Sequence, residues 1–171
     1  MAILSTKTLT SRLMAFIATA TGLQVIRANE KAGAPENDYI ALLQISSVTE
    51  DFAPSNTKTL NSGDDTILDI ETNSTFLVNF QAQIYQRTDN IDAYDMVVDL
   101  RNYIGSPAGV LDMIIKEFSI LSLTNINQFD TLVDSTIEKR VIVDLVLEFA
   151  QSTDSQIDRA AITSFVPFIE T

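Results

Sequence analysis

Carboxylates are the reactive side chains this sequence holds in quantity. Asp89, Asp92, Asp95 and Asp99 recur at spacings of three and four, which predicts one face of a helix, and Asp64-Asp65 follows Gly63 in a polar stretch. Two carboxylates at a suitable separation can hydrolyse a glycosidic bond, and three can hold Mg²⁺ or Ca²⁺. The spacing of a calcium loop is absent, however, and a helical row of acids more often marks a solvated face. The chain has no His and no Cys, so disulfides, thiolate nucleophiles, Ser-His and Cys-His catalysis and nearly every zinc, copper or haem site are excluded. Its 5 glycines (Gly22, Gly33, Gly63, Gly105, Gly109) are dispersed, with no phosphate-binding loop and no G-x-S-x-G elbow. No catalytic set, metal site or cofactor is expected, and a carboxylate-based hydrolase stays as the enzymatic alternative.

A second group of charges sits inside a strand. In STIEKRVIVDLVLEFAQ, residues 135–151, alternation puts Val141, Val143, Leu145, Leu147 and Phe149 on a core face. The other face carries Glu138, Arg140, Ile142, Asp144, Val146 and Glu148, too charged for a second core and too apolar for bulk water. Arg140 reads either as half of an intrachain pair with Glu138 or another acid, or as a contact to a partner.

The elements that must position these residues follow from periodicity and turn chemistry. Leu9, Leu13, Phe16, Ile17 and Ala20 predict a helix over 8–21, which Gly22 ends. LQVIRANEKAGAPEND reads as a loop, and YIALLQISSV as a strand with Tyr39, Ala41, Leu43 and Ile45 on one face. Residues 49–74 are polar and acidic and predict a long exposed loop or hairpin turning at Ser62-Gly63-Asp64. TFLVNFQAQIYQR alternates, with Phe76, Val78, Phe80, Ala82 and Ile84 inward and Leu77, Asn79, Gln81, Gln83 and Tyr85 outward. Asp89 offers an N-cap for a helix to Ile104 whose stripe is Tyr94, Val97, Val98, Arg101 and Ile104, and Ser106-Pro107 starts a short helix to Ile115. FSILSLTNI reads as a strand and NQFDTLVDS as a connector; the C-terminal RAAITSFVPFIE reads as a short strand or extended arm, because Pro167 opposes a helix. The fold class is α+β, a mostly antiparallel sheet with helices packed on one face and the other face left for other contacts.

At 171 residues the chain reads as one domain. A formal charge of −12 opposes phosphate, so ordinary nucleic-acid binding is not expected, although acids spaced like phosphates could mimic DNA. With 46% hydrophobic residues the chain folds, and apolar surface in that amount suits an oligomer. The apolar run Leu13–Ala18 is too short for a signal peptide, and no stretch has the roughly 18 apolar residues of a membrane span, so no membrane partner is expected.

Three stretches, PENDYIALLQI, FLVNFQAQIYQRTDNIDAYDMVVDLRNYI and STIEKRVIVDLVLEF, together resemble the neck and tail-terminator proteins of tailed bacteriophages. The shared pattern is a strand entered after a proline loop, a strand ending in Tyr85 that turns into a helix, and a strand headed by Glu138-x-Arg140. Gln86 departs from it, standing where a small residue is expected. The resemblance implies a single tail-terminator-like domain over 1–171, in a non-enzymatic virion protein assembled in the host cytoplasm. Its copies would form a ring, commonly a hexamer, that caps the tail tube, meets the neck or connector protein, with the sheath as a further candidate partner, and lets DNA pass in transit. Arg87, Glu138, Arg140, Asp144 and Glu148 then become candidates for a subunit contact or the lumen. Another tail or adaptor subunit is the nearest alternative.

Overall fold

The computed structural model of the chain describes residues 6–28, 35–46, 49–50, 56–61, 67–88, 92–133 and 136–158, with side chains described over 7–28, 35–46, 74–88, 92–130 and 138–150. Along the chain run α1 (Thr6–Thr21), β1 (Gln24–Arg27), β2 (Tyr39–Gln44), β3 (Thr49–Glu50), β4 (Asn56–Asn61), β5 (Ile67–Gln86), α2 (Ala93–Gly105), α3 (Pro107–Ile115), β6 (Ser119–Val133) and β7 (Thr136–Asp158). The sheet has the order β1-β2-β5-β7-β6, with β3 and β4 pairing with the far half of β5. Among the described strands only β1 and β2 pair parallel; the rest pair antiparallel. The architecture is the expected α+β arrangement.

β5 and β7 form its spine, paired from Gln86 opposite Lys139 to Ile67 opposite Asp158. Over the described side chains the two-residue period is strict. Val78, Phe80, Ala82 and Ile84 of β5 and Val141, Val143, Leu145, Leu147 and Phe149 of β7 are all buried on one face, joined there by Ile40 and Leu42 of β2. The helices cover this face. α1 supplies Leu9, Leu13, Phe16 and Ile17, and α2 supplies Ala93, Val97 and Leu100. Phe16 meets Tyr103 at 5.2 Å and Phe118 edge-on at 5.6 Å between ring centroids, locking the two helices over the sheet. Arg12 of α1 reaches the end of α3, donating to the Lys116 carbonyl at 2.9 Å and the Glu117 carboxylate at 2.6 Å.

The two helix starts differ in how well they were legible. Ser106 caps α3 as its sequence predicts: its Oγ accepts from the Gly109 amide at 3.0 Å and Pro107 opens the helix. Gly109 is required there, because a Cβ would stand 1.8 Å from the Tyr103 carbonyl oxygen. α2 is capped by Asp92, which accepts from the Tyr94 amide at 2.8 Å, rather than by Asp89, which lies outside the described residues. Its buried stripe is Ala93, Val97 and Leu100, while Tyr94 and Val98 are exposed and Arg101 faces outward with them.

Two expectations are corrected. The stretch read as a loop after Gly22 contains β1, too short for its pattern to register. NQFDTLVDS is no connector: β6 runs unbroken from Ser119 to Val133, and shifts of register at Ile120/Ser122 and Thr124/Asn127 scramble the alternation that would have revealed it. In β2, Tyr39, Ala41 and Leu43 share one face as expected, the one away from the helices, with Ile40 and Leu42 in the core. Within 49–74, β4 and β5 pair antiparallel from Asn61 opposite Leu68 to Asn56 opposite Asn73. Ser62-Gly63-Asp64 and the C-terminal RAAITSFVPFIE lie outside the described residues.

Candidate functional site

The face of the sheet opposite the helices is built in rows, because residues paired across an antiparallel ladder share a side. Tyr39, Tyr85, Arg140 and Phe129 form one row across four strands; Ala41, Gln83, Ile142 and Asn127 form the next; Leu43, Gln81, Asp144 and Thr124 a third. Leu77, Glu148 and Ser119 lie two rows further on. Among the described residues no second layer lies over this face, yet most of its side chains are half-buried against one another and Gln83 is buried.

Cations and aromatic rings alternate along the first row. The Arg87 guanidinium lies 5.2 Å above the Tyr39 ring, Tyr39 stacks on Tyr85 at 4.6 Å with 6° between planes, and Arg140 covers Tyr85 at 4.9 Å. Each such cation–ring contact contributes about 0.5 to 2 kcal/mol, more as water is excluded. Burial also pushes the Tyr39 phenol up from its ordinary value, against the opposing charge of Arg87.

From Arg140 a chain of hydrogen bonds runs down the face to a carboxylate. Arg140 Nη2 donates to Gln83 Oε1, which also accepts from the Tyr85 hydroxyl at 2.9 Å. Gln83 Nε2 donates to Gln81 Oε1 at 2.6 Å, and Gln81 Nε2 donates to Asp144 Oδ1 at 3.1 Å. The second oxygen of Asp144 accepts from Asn125 Nδ2 at 2.8 Å. Every amide dipole points the same way, from the cation toward the anion, so each bond polarises the next. This is why Asp144 tolerates a place within a strand: the chain ends on its negative charge. Asn125 is held at φ 53 beside the second register shift, so the irregularity that hid β6 also aims the amide that completes the site.

The turn from β5 to α2 frames the row. Asp38 Oδ1 accepts from the Arg87 and Thr88 amides at 2.6 and 2.8 Å, and Oδ2 from the Thr88 hydroxyl at 2.5 Å. Burial disfavours the Asp38 charge, but the bonds from Thr88 and Arg87 outweigh it and hold the carboxyl below its ordinary 3.8. Gln86, the departure from the expected small residue, is buried and works as a clamp: its Oε1 accepts from the Ala93 amide at 3.2 Å and its Nε2 donates to the Thr88 carbonyl at 3.3 Å.

Four of the five candidates come together here. Arg87 pairs with Glu138 at 3.3 Å and also bonds the Pro35 carbonyl, while Arg140 and Asp144 are the two ends of the amide chain. Glu148 shares the face but lies two rows away. Arg140 makes no ion pair among the described residues, because Glu138 is held by Arg87 and Asp144 by Gln81 and Asn125. Its Nε is buried and has no hydrogen-bond partner among the described residues. Tyr39, Gln81, Gln83, Tyr85 and Asn125 were not singled out by sequence; the outward alternation of Gln81, Gln83 and Tyr85 was the available signal. Asp92, Asp95 and Asp99 do not form a site: Asp92 is the cap and the other two are exposed on α2, and among the described residues no three metal-ligating side chains gather. No described helix is long and apolar enough to cross a membrane.

The described residues thus form an α+β arrangement with one sheet face roofed by helices and the other furnished with a fixed polar network. The model of the phage neck terminator protein family matches residues 7–171, nearly the whole chain. The chain belongs to that family, which makes it a structural protein of the tail or neck of a bacteriophage particle. No curated protein matches in sequence. One solved structure aligns over 86% of this chain and 96% of its own length at 15% identity, with a TM-score of 0.40, too loose a likeness to carry an argument.

Proposed function

We propose that copies of this protein close into a ring, commonly of six, that caps the finished tail tube, docks on the neck or connector protein and leaves a passage for DNA. The sheath is a further candidate neighbour, and the role is structural, with no reaction catalysed. The observation that carries the reading is the open face of the sheet, where Arg140 keeps a buried, unpartnered Nε beside a preformed row of rings and amides. A desolvated donor without an acceptor costs about 1 to 3 kcal/mol, and a shift of the Arg140 side chain toward an acceptor on another subunit would remove that cost. A head-to-tail contact of this kind must close into a ring or grow without limit. The acidic chain supports the passage: carboxylates along a lumen repel a phosphate backbone and let it slide.

Light scattering on the full chain, alone and with isolated tail tubes, tests this reading. A discrete particle of several chains, or saturable capping of tube ends, is expected. A chain that stays monomeric at high concentration and also leaves tube ends uncapped would refute it.

A further inference from the structure

Arg140 holds no carboxylate among the described residues, whereas Arg87, at the other end of the ring stack, holds Glu138. Its Nη2 is committed to Gln83 and its Nε has no partner among the described residues. Opposite it across the ladder Phe129 is 49% exposed, and Ile142 follows half-buried in the next row. This corner of the sheet is a positive, planar fork bordered by apolar surface. Its complement is a carboxylate carried among apolar side chains, because a guanidinium takes a carboxylate by two parallel bonds and such a pair fixes the register of a contact.

The helical side of the chain carries that complement. Several acids are already engaged: Asp38 with the Arg87 and Thr88 amides, Asp112 with Lys116, Glu117 with Arg12 and Asp144 with two side-chain amides. Asp95 and Asp99 are exposed on α2 and bond to nothing among the described residues. They stand one turn apart, about 6 Å along the axis, with Val98 beside them at i+3 and 40% exposed. Tyr94, 48% exposed, adjoins on the same helix. α3 exposes more apolar surface, but its acid is held by Lys116, so it brings no carboxylate to a cation. Two chains of charge −12 repel, and they approach at least cost where an acid of one meets a cation of the other.

The two surfaces cannot meet within one chain. Val97 and Leu100 of α2 are buried on the inner face with Val143 and Leu145, while Arg140 and Phe129 belong to the outer one. Two copies cannot satisfy each other reciprocally either, because each would have to turn both sides of its sheet toward the other. The contact is therefore head-to-tail, the kind that closes a ring. We infer that α2 of one copy, through Asp95, Val98 and Asp99, lies on Arg140 and Phe129 of the outer sheet face of a second copy. The inference rests on the ring reading for the meeting of copies and names the two surfaces that meet.

The absence of cysteine makes the test clean. Full-length chains carrying Val98→Cys and, separately, Phe129→Cys are mixed in the presence of tail tubes and oxidised, with one variant tagged to differ in mass. A disulfide-linked pair containing one chain of each kind is expected, at least tenfold above the yield of a control mixture of Ala15→Cys, on the exposed side of α1, with Phe129→Cys. Adding Asp95→Asn/Asp99→Asn to the Val98→Cys chain, or Arg140→Ala to the Phe129→Cys chain, is expected to cut that yield at least fivefold while the melting of the subunits stays unchanged. A mixed yield no greater than the control, or one that survives both charge variants, overturns the inference. Light scattering on the same samples separates the two readings: a particle of several chains without the cross-link leaves the ring standing and removes only this contact, whereas monomers that cap nothing remove both.

Discussion

The two faces of one sheet are made by the same strands and obey different chemistry. On the inner face Phe80, Ile84, Leu145 and Leu147 are completely buried beneath α1 and α2. On the outer face their immediate neighbours Gln81, Tyr85 and Asp144 are only half-buried and are tied by directed bonds. Hydrophobic burial is non-directional and scales with area, so the inner face determines whether the subunit folds. Hydrogen bonds contribute little net stability but fix orientation, so the outer face presents a rigid pattern that another subunit can read. The period-two pleat separates the two jobs residue by residue.

The comparison is sharpened most by truncation in the core. Phe80→Ala is expected to lower the unfolding free energy by about 3 to 5 kcal/mol, since the site is sealed between sheet and helices and cannot collapse around the cavity. Chemical denaturation of the variant measures this. A loss under about 1 kcal/mol would mean that the roofed face is not the one that holds the subunit together.

A smaller effect is expected at the turn that joins the faces. Asp38→Asn keeps the shape but gives up the charge and one acceptor oxygen, so it should cost about 1 to 2 kcal/mol. The pH dependence has a definite sign. The folded carboxyl titrates below its ordinary 3.8, so its contribution is fully present above that value and is lost as the pH falls from 3.8 through the lower folded value. Melting curves of the wild type and Asp38→Asn should therefore converge below pH 3.8; a gap that stays constant into acid would show that the Asp38 charge is not what matters.

The sequence made the inner face readable because burial imposes strict alternation. Val141 to Phe149 and Phe76 to Ile84 could be assigned from period two alone, as could the Ser106-Pro107 start of α3. The outer network was less visible. Asp144 was recognised as out of place in a strand, but its partners come from β5 and β6, and cross-strand register is not written in a local pattern. Phe129 and Asn125 were further hidden because register shifts break the alternation of β6. Arg140 was identified from its type and position, while the ring beneath it and the amide it bonds needed the pairing of Tyr85 and Gln83 with β7. The Asp92 cap was missed in favour of Asp89 because both are good capping residues and only packing chooses the start of the buried stripe.

The smallest expected effect on folding is also the most decisive for the account. In Arg140→Ala the Gln83 oxygen keeps the Tyr85 hydroxyl as donor, and the unpartnered Nε disappears with the side chain, so the subunit should lose no more than about 1 kcal/mol. Removing one member of a desolvated contact between subunits costs about 2 to 5 kcal/mol, repeated at every interface of a ring. Measuring the melting temperature of the subunit beside its yield of capped tail tubes, for wild type and Arg140→Ala, therefore tests the central claim directly. Nearly unchanged melting with capping lost is the predicted result; unchanged capping, or collapse of the isolated subunit, would contradict the assignment of this face to assembly.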